Sequence, residues 1–453
     1  MAYSTLRSYK LRLKPLEILA AIRHQRNCFF LDSSLPSSTL GRYSFLGFDP
    51  FYTLETKDKE PFSRLRSLLG RYRISLPKIP LPFLGGAVGY LAYDLGFLLE
   101  KKLKRKNPDD LGIPDSFFGF YNTIIIVDKI KKYMHIFAIG FPETNSRLGA
   151  VLCRANIARI EKLLSTYPSV QRRLGAAKRP DADLKSNFKK EDYLLAIRNA
   201  KEYIRQGDIY QVNLSQRFSC SAKGLDAFGV YGRLREISPV PFAAYFDAGS
   251  FQILSSSPER FLAVKDKDVV TRPMKGTRPR GENRVEDLFM RKELLRSVKD
   301  KAELVMIVDL LRNDLGKVCD YESVRVDSLR NLERYSTVYQ TTSTVKGDLY
   351  KNKDMIDLLR ACFPGGSITG CPKIRAMEII EELEPNRRSI YTGSLGYLSF
   401  SAKMDFNILI RTILNKGDEL YFGVGGGIVA DSVPEKEYLE TLIKAKALIQ
   451  AIS

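Results

Sequence analysis

GGGIVADSVPEKEYLETLIKAKAL, residues 425–448, runs from a triple glycine into a long helix. Asp431-Ser432 offers an N-cap, and Pro434 suits a first turn, where a missing N–H is no loss. From there to Ile452 the pattern is helical. Tyr438, Leu442, Ala445 and Ile449 fall on one apolar stripe, and Glu437, Glu440 and Lys444 on a neighbouring one. Two carboxylates one turn apart are one face of a solvated helix in the simplest reading. Here they stand beside Gly425-Gly426-Gly427, read as a loop with bare N–H groups that lets an anion approach closely. Such a pair also suits a hard cation such as magnesium.

Outward from this helix, residues 190–450 mix strand-like runs and helices without strict alternation. An α+β fold is therefore expected, not a parallel doubly wound one. Glu191 to Gln206 reads as a helix stopped by Gly207-Asp208, and Arg296 to Arg312 as another. In the N-terminal part, Thr123 to Val127 is a β-branched strand. FLGGAVGY (83–90) is a tightly packed strand and turn, and Leu148 to Tyr167 is helical. Gln171 to Asn187 is basic and aperiodic, contains Pro180, and reads as a linker. The expected division is 1–180 and 181–453, joined in one compact unit.

Several further residues carry possible chemistry. Glu303 lies at the edge of the apolar run Leu304 to Val308, where a carboxylate needs an ion-pair partner or a metal. Lys275, in Arg272-Pro273-Met274-Lys275-Gly276-Thr277, reads as a loop lysine or as a nucleophile with a depressed pKa. Glu259 follows Ser255-Ser256-Ser257-Pro258 and reads as part of a capped turn or as a general acid. There is no phosphate-binding G-x-x-x-x-G-K-[ST] loop and no G-x-G-x-x-G fingerprint.

The 453 residues carry 72 Lys and Arg against 52 Asp and Glu, a net charge of +20. A basic surface suits an anionic substrate or an acidic protein partner. The densest run, Lys101 to Lys106, has no interleaved aromatic, and no zinc-finger or aromatic RNA-binding pattern occurs, so no nucleic-acid partner is expected. Six cysteines without a C-x-x-C pair read as reduced thiols of a cytosolic protein. The first residues are polar and basic, and no apolar run approaches ~20 residues, so neither a signal peptide nor a membrane span is expected. The expected localisation is cytoplasmic.

From about residue 190 to 448 the chain resembles the chorismate-utilising enzymes. The resemblance rests on GDIYQVNLSQRF, SSSPERF, PMKGTRPRG, LVMIVDLLRNDLG, FPGGSITGCPKIRAMEIIEELEP, GSLGYLSF and the stretch quoted first. YSFLGFDP and FLGGAVGYLAYD extend it to the N-terminal region of the aminating branches. Gln211 stands where the isochorismate and salicylate synthases carry a water-activating lysine. Lys275 stands where anthranilate synthases have alanine, and GGSITG (365–370) is similar to the aminodeoxychorismate form. The resemblance thus points to aminodeoxychorismate synthase component I, with anthranilate synthase component I as the alternative.

It implies two packed antiparallel β-sheets with surrounding helices and a site between them. It also implies magnesium held by Glu303, Glu437 and Glu440, Lys275 as nucleophile and Glu259 as general acid. Arg411 would pair with the enolpyruvyl carboxylate of chorismate, with Tyr391, Ser367, Gly276, Thr277, Gly426, Gly427, Lys444 and Gln211 also at the substrate. A separate glutamine amidotransferase subunit would supply ammonia. Gln340, where histidine is common, and Cys371, in place of alanine, depart from the family pattern.

Overall fold

The computed structural model describes residues 2–35, 40–74, 79–167, 183–335 and 338–453. Two large antiparallel sheets carry them. The first runs, in spatial order, Ser4–Lys10, Tyr133–Ile139, Thr123–Asp128, Tyr43–Gly47, Phe29–Asp32, Phe242–Asp247, Phe251–Ser257, Thr412–Lys416, Glu419–Ile428, Gln211–Ser221 and Gly370–Cys371. The second runs Met274–Pro279, Val338–Asp348, Asp268–Arg272, Arg260–Lys265, Met404–Asn407, Ser394–Ser399, Gly86–Leu91, Ser116–Tyr121 and Tyr52–Thr56, with Arg325–Arg334 also paired to Val338–Asp348. This is the α+β arrangement of two antiparallel sheets that the sequence led us to expect.

Each sheet is woven from both halves of the chain. Phe29–Asp32 pairs with Phe242–Asp247 in one, and Gly86–Leu91 pairs with Ser394–Ser399 in the other. Of the expected linker, residues up to 182 lie outside the described ones, while Lys185 and Ser186 pair with Ser219 and Phe218.

The layers meet through apolar side chains. Gly86–Leu91, Ser116–Tyr121 and Thr123–Asp128 are buried along their whole length. Tyr90 packs on Phe251 with ring centroids 5.9 Å apart, and Phe117 on Phe246 at 5.7 Å, each joining one sheet to the other. Each fully buried ring of this kind contributes roughly 1.5–3 kcal/mol. Helices Pro15–Ile22, Ser146–Thr166, Ala227–Ile237 and Pro434–Ile452 close a second apolar cluster over the first sheet, bringing Ile18, Ile157, Val230 and Leu448 to Leu46, Ile125 and Leu254.

Local structure departs from expectation in three places. The triple glycine is not a loop: Gly425, Gly426 and Gly427 lie inside a strand, opposite Ser215, Leu214 and Asn213. Their lack of side chains makes room above the strand. The final helix begins at Pro434, but Val433 occupies its N-cap and no described side chain caps it. Ser432 donates instead to Glu437 Oε1 at 2.7 Å. Its buried face is Glu437, Thr441, Ala445, Leu448 and Ile452, leaving Tyr438, Leu442 and Ile449 half-buried on the flank. A polar residue can face the sheet because Gln216 Nε2 donates to Thr441 Oγ1 at 2.7 Å. The helix expected over Arg296 to Arg312 is present as Val298–Gly316, but Arg296 instead ends a preceding helix, Arg284–Arg296. Ser297 divides them and accepts from Asp300 N at 3.1 Å, which caps the second.

Close strand approach at Gly89 gives a test of this packing. A Cβ there would overlap the carbonyl oxygen of Phe117 on the neighbouring strand, whereas a Cβ on Gly70, in helix Phe62–Arg71, meets nothing within 4 Å. In urea denaturation, Gly89→Ala is expected to destabilise the fold by about 3 kcal/mol or more. Gly70→Ala is expected to be neutral or to stabilise by up to ~1 kcal/mol. Equal effects at the two positions would contradict this strand spacing.

Candidate active site

Two crossings of the chain between the sheets frame the site. Phe251–Ser257 belongs to the first sheet and Arg260–Lys265 to the second, so Pro258-Glu259 spans the gap. Met404–Asn407 belongs to the second sheet and Thr412–Lys416 to the first, so Ile408 to Arg411 spans it in return. The crossings are bonded to each other. Ile408 N donates to Glu259 O at 3.1 Å, Ser256 N to Arg411 O at 3.0 Å, and Ser257 Oγ to Ile408 O at 2.6 Å.

Arg411 takes a left-handed conformation, φ 50°, at a cost of roughly 1–2 kcal/mol for a residue with a Cβ. Burial draws its guanidinium pKa down, Tyr335 opposes this, and among the described residues no carboxylate pairs with it. A buried cation without an anion is a carboxylate receptor by its chemistry.

Lys275 reaches the same space from the second sheet. Register between Met274–Pro279 and Val338–Asp348 slips between Lys275 and Thr277, at Gly276 with φ 77°. A Cβ on Gly276 would stand 2.9 Å from Leu294 and 3.0 Å from Asp300, so only glycine fits this bulge under the helices. The bulge aims Lys275 inward. Its Nζ lies 4.0 Å from Glu303 Oε2. Burial pushes its pKa down, Glu303 opposes this, and Lys444 adds to it.

Glu259 is also buried, and burial pushes its pKa up to about 7 against a 2.6 Å hydrogen bond donated by Ser367 Oγ and the charge of Lys275. Opposed shifts in neighbouring groups give a carboxyl that can hold a proton up to about 7 and an amine that releases one more readily than an ordinary lysine.

Glycine and glutamine complete the floor. A Cβ on Gly427 would collide with the Gln211 amide, and Lys275 Nζ lies 3.4 Å from the same point. Among the described residues both polar atoms of the Gln211 side chain are buried without a partner, as is Gln340 Oε1. Gln340 Nε2 donates to Thr277 Oγ1 at 3.3 Å. Orphaned buried amides on this scale point to a ligand that satisfies them. Tyr391 sits to one side, its ring packed on Gly423 in the glycine-rich strand.

The three carboxylates arrive on two helices. A Cβ on Gly426 would stand 3.5 Å from Glu437 Oε2, 3.7 Å from Glu440 Oε1 and 3.9 Å from Lys444 Nζ. Glu303 comes from helix Val298–Gly316. Ammonium groups interleave them. Lys299 Nζ is 3.5 Å from Glu437 Oε1 and 4.0 Å from Glu303 Oε1, and Lys444 Nζ is 2.7 Å from Glu440 Oε1. Burial raises the Glu303 pKa, opposed by Lys275 and Lys299. Burial also acts to raise that of Glu440, but Lys444, Lys299 and Lys275 outweigh it and hold the carboxyl below its ordinary value.

Among the described residues no three His, Cys, Asp or Glu side chains close on one point as a finished metal cage. The donor set fits magnesium in kind: hard carboxylate oxygens, balanced at present by cations. Sequence reasoning missed Lys299, although its i, i+4 spacing from Glu303 was a readable signal. Cys371 is half-buried. Two cavities, of about 720 Å³ and 1130 Å³, lie elsewhere, and neither is lined by Lys275, Glu259 or Arg411. Among the described residues no helix is long and apolar enough to cross a membrane.

The family model described as chorismate binding enzyme matches residues 26–450. Anthranilate synthase component 1 of Thermus thermophilus is 41% identical over 438 residues, 93% of this chain and 92% of that protein. Aminodeoxychorismate synthase component 1 of Bacillus subtilis is 37% identical over 436 residues, 92% of this chain and 91% of that protein. A crystal structure of anthranilate synthase component I from Streptococcus pneumoniae superposes with a TM-score of 0.81 at 31% identity, covering 92% of this chain and 94% of that one. The chain is therefore a member of the chorismate-binding enzyme family, a chorismate-utilising enzyme.

Proposed function

We propose that this protein aminates chorismate at C4 to give 4-amino-4-deoxychorismate, using ammonia from a separate glutamine amidotransferase subunit and magnesium held by Glu303, Glu437 and Glu440. The observation that carries this reading is Lys275, buried with a lowered pKa within the field of the proton-holding Glu259. Arg411 pairs with the enolpyruvyl carboxylate. A bound magnesium ion would neutralise the ring carboxylate and draw electron density from the diene. The neutral amine of Lys275 attacks ring carbon C2, and the diene relays the displaced electron pair to C4.

Glu259 gives its proton to the C4 hydroxyl, which leaves as water. Ammonia then adds at C4, the electron pair returns to C2, and Lys275 departs as the amine. The proton shed by the new ammonium group restores Glu259. Chorismate and ammonia become aminodeoxychorismate and water, with the enolpyruvyl ether intact. At the position of Gln211 no lysine is present to activate water, which favours amination over hydration.

The second reading is anthranilate synthase component I, favoured by relatives of that name such as the Thermus protein at 41% identity. In it Lys275 is a spectator and ammonia attacks C2 directly, with later loss of pyruvate.

The two readings separate in one assay of the purified chain with chorismate, magnesium and an ammonium salt. The expected product is a non-fluorescent amino-chorismate, with no pyruvate released. Lys275→Ala is expected to lower its formation by on the order of 10³-fold. Fluorescent anthranilate with pyruvate, made equally fast by Lys275→Ala, would sink the C4 reading.

Glu259 must begin protonated, so with free ammonia held constant kcat/KM is expected to fall as pH rises through about 7. The same raised pKa means the folded state disfavours the carboxylate. Its contribution to stability declines from the ordinary carboxylate range upward, and the loss is complete above about 7. Glu259→Gln should therefore abolish most activity and raise Tm above that pH. A pH-independent kcat/KM across neutrality, with no gain in Tm, would contradict the role given to Glu259.

A further inference from the structure

Lys299 is half-exposed yet bridges two carboxylates of different helices, 3.5 Å from Glu437 Oε1 and 4.0 Å from Glu303 Oε1. Its place in its own helix disfavours it. It lies just inside the N-terminus of Val298–Gly316, where the backbone dipole repels a cation. What holds the ammonium there is Glu303, one turn further along the same helix, together with Glu437 across the gap. The other lysines differ. Lys275 is fixed within the site with 12% of its side chain exposed, against 46% for Lys299. Lys444 is tied both to Glu440 and to the carbonyl of Gly425, at 2.9 Å. Among the described residues only Lys299 joins Glu303 to Glu437 and can also swing into solvent.

We propose that Lys299 is a built-in competitor for the divalent cation: its ammonium neutralises Glu303 and Glu437 in the metal-free protein and is displaced when the ion binds. The inference rests on the reading that these carboxylates hold magnesium. A magnesium ion requires oxygen contacts at about 2.0–2.1 Å, and a carboxylate pair drawn onto it has no place for an ammonium between its members. Lys299 therefore keeps the empty site from repelling itself apart, and lowers its affinity for metal in doing so.

The test is calorimetric titration of magnesium chloride into the full chain at low salt, without chorismate. Glu437→Gln controls for heat arising at other sites. Lys299→Met is expected to bind magnesium about three- to fivefold more tightly, the scale of a partly exposed ion pair. Its Tm should be lower than wild type in EDTA and recover when magnesium is added. Lys299→Arg should bind as the wild type does. Lys299→Gln serves as the second variant should Lys299→Met fold poorly. Unchanged or weaker binding in Lys299→Met and Lys299→Gln would overturn the proposal while leaving the cation site intact. No binding to wild type or to any variant would overturn both.

Discussion

The site depends on the pair of hydrogen-bonded crossings between the sheets. A strand that leaves one layer for the other must break its ladder, and its freed backbone groups need new partners. Here each crossing supplies them to the other: the Glu259 carbonyl accepts from Ile408, and the Arg411 carbonyl accepts from Ser256. The mutual bonding locks a carboxyl and a guanidinium onto opposite legs of one frame. Because that frame is backbone, neither side chain is needed to anchor it. The carboxyl spends one oxygen on Ser367, and the guanidinium is left for an incoming anion.

Electrostatics within the frame work by opposition. Burial alone would neutralise every charged group there. Glu259 follows that tendency and keeps a proton up to about 7, while Glu440, surrounded by three lysines, is held charged. One pocket thus contains a carboxyl fit to give a proton and another fit to hold a cation, distinguished by neighbours and not by residue type. Glycine makes the crowding possible. Gly426 and Gly427 lie directly beneath the carboxylates and beneath Lys275, and side chains there would fill the space the ligand needs.

Much of this was legible in the sequence, and the exceptions are instructive. Pro434 cannot serve a helix interior, and it opens the final helix as read. The β-branched run Thr123 to Val127 is a strand, as read. The triple glycine misled because local propensity favours a turn, while its true role is steric and set by a helix packed above it. The break at Ser297 was hidden because both flanking segments favour helix, and a single hydroxyl cap decides the boundary. The apolar stripe of the last helix was displaced because Gln216 satisfies Thr441, a partner more than two hundred residues away that no local pattern contains.

The weaving of both halves into each sheet has a consequence for how the chain reaches its working form. Phe29–Asp32 pairs early with Tyr43–Gly47, but its other edge waits for Phe242–Asp247; Gly86–Leu91 pairs early with Ser116–Tyr121, but its other edge waits for Ser394–Ser399. During synthesis these strands emerge with one edge open until the later strands are made. Such non-local pairing slows folding and prolongs exposure to aggregation. A fragment from either side would carry sheets with unpaired edges, each edge lacking a strand that the other half supplies.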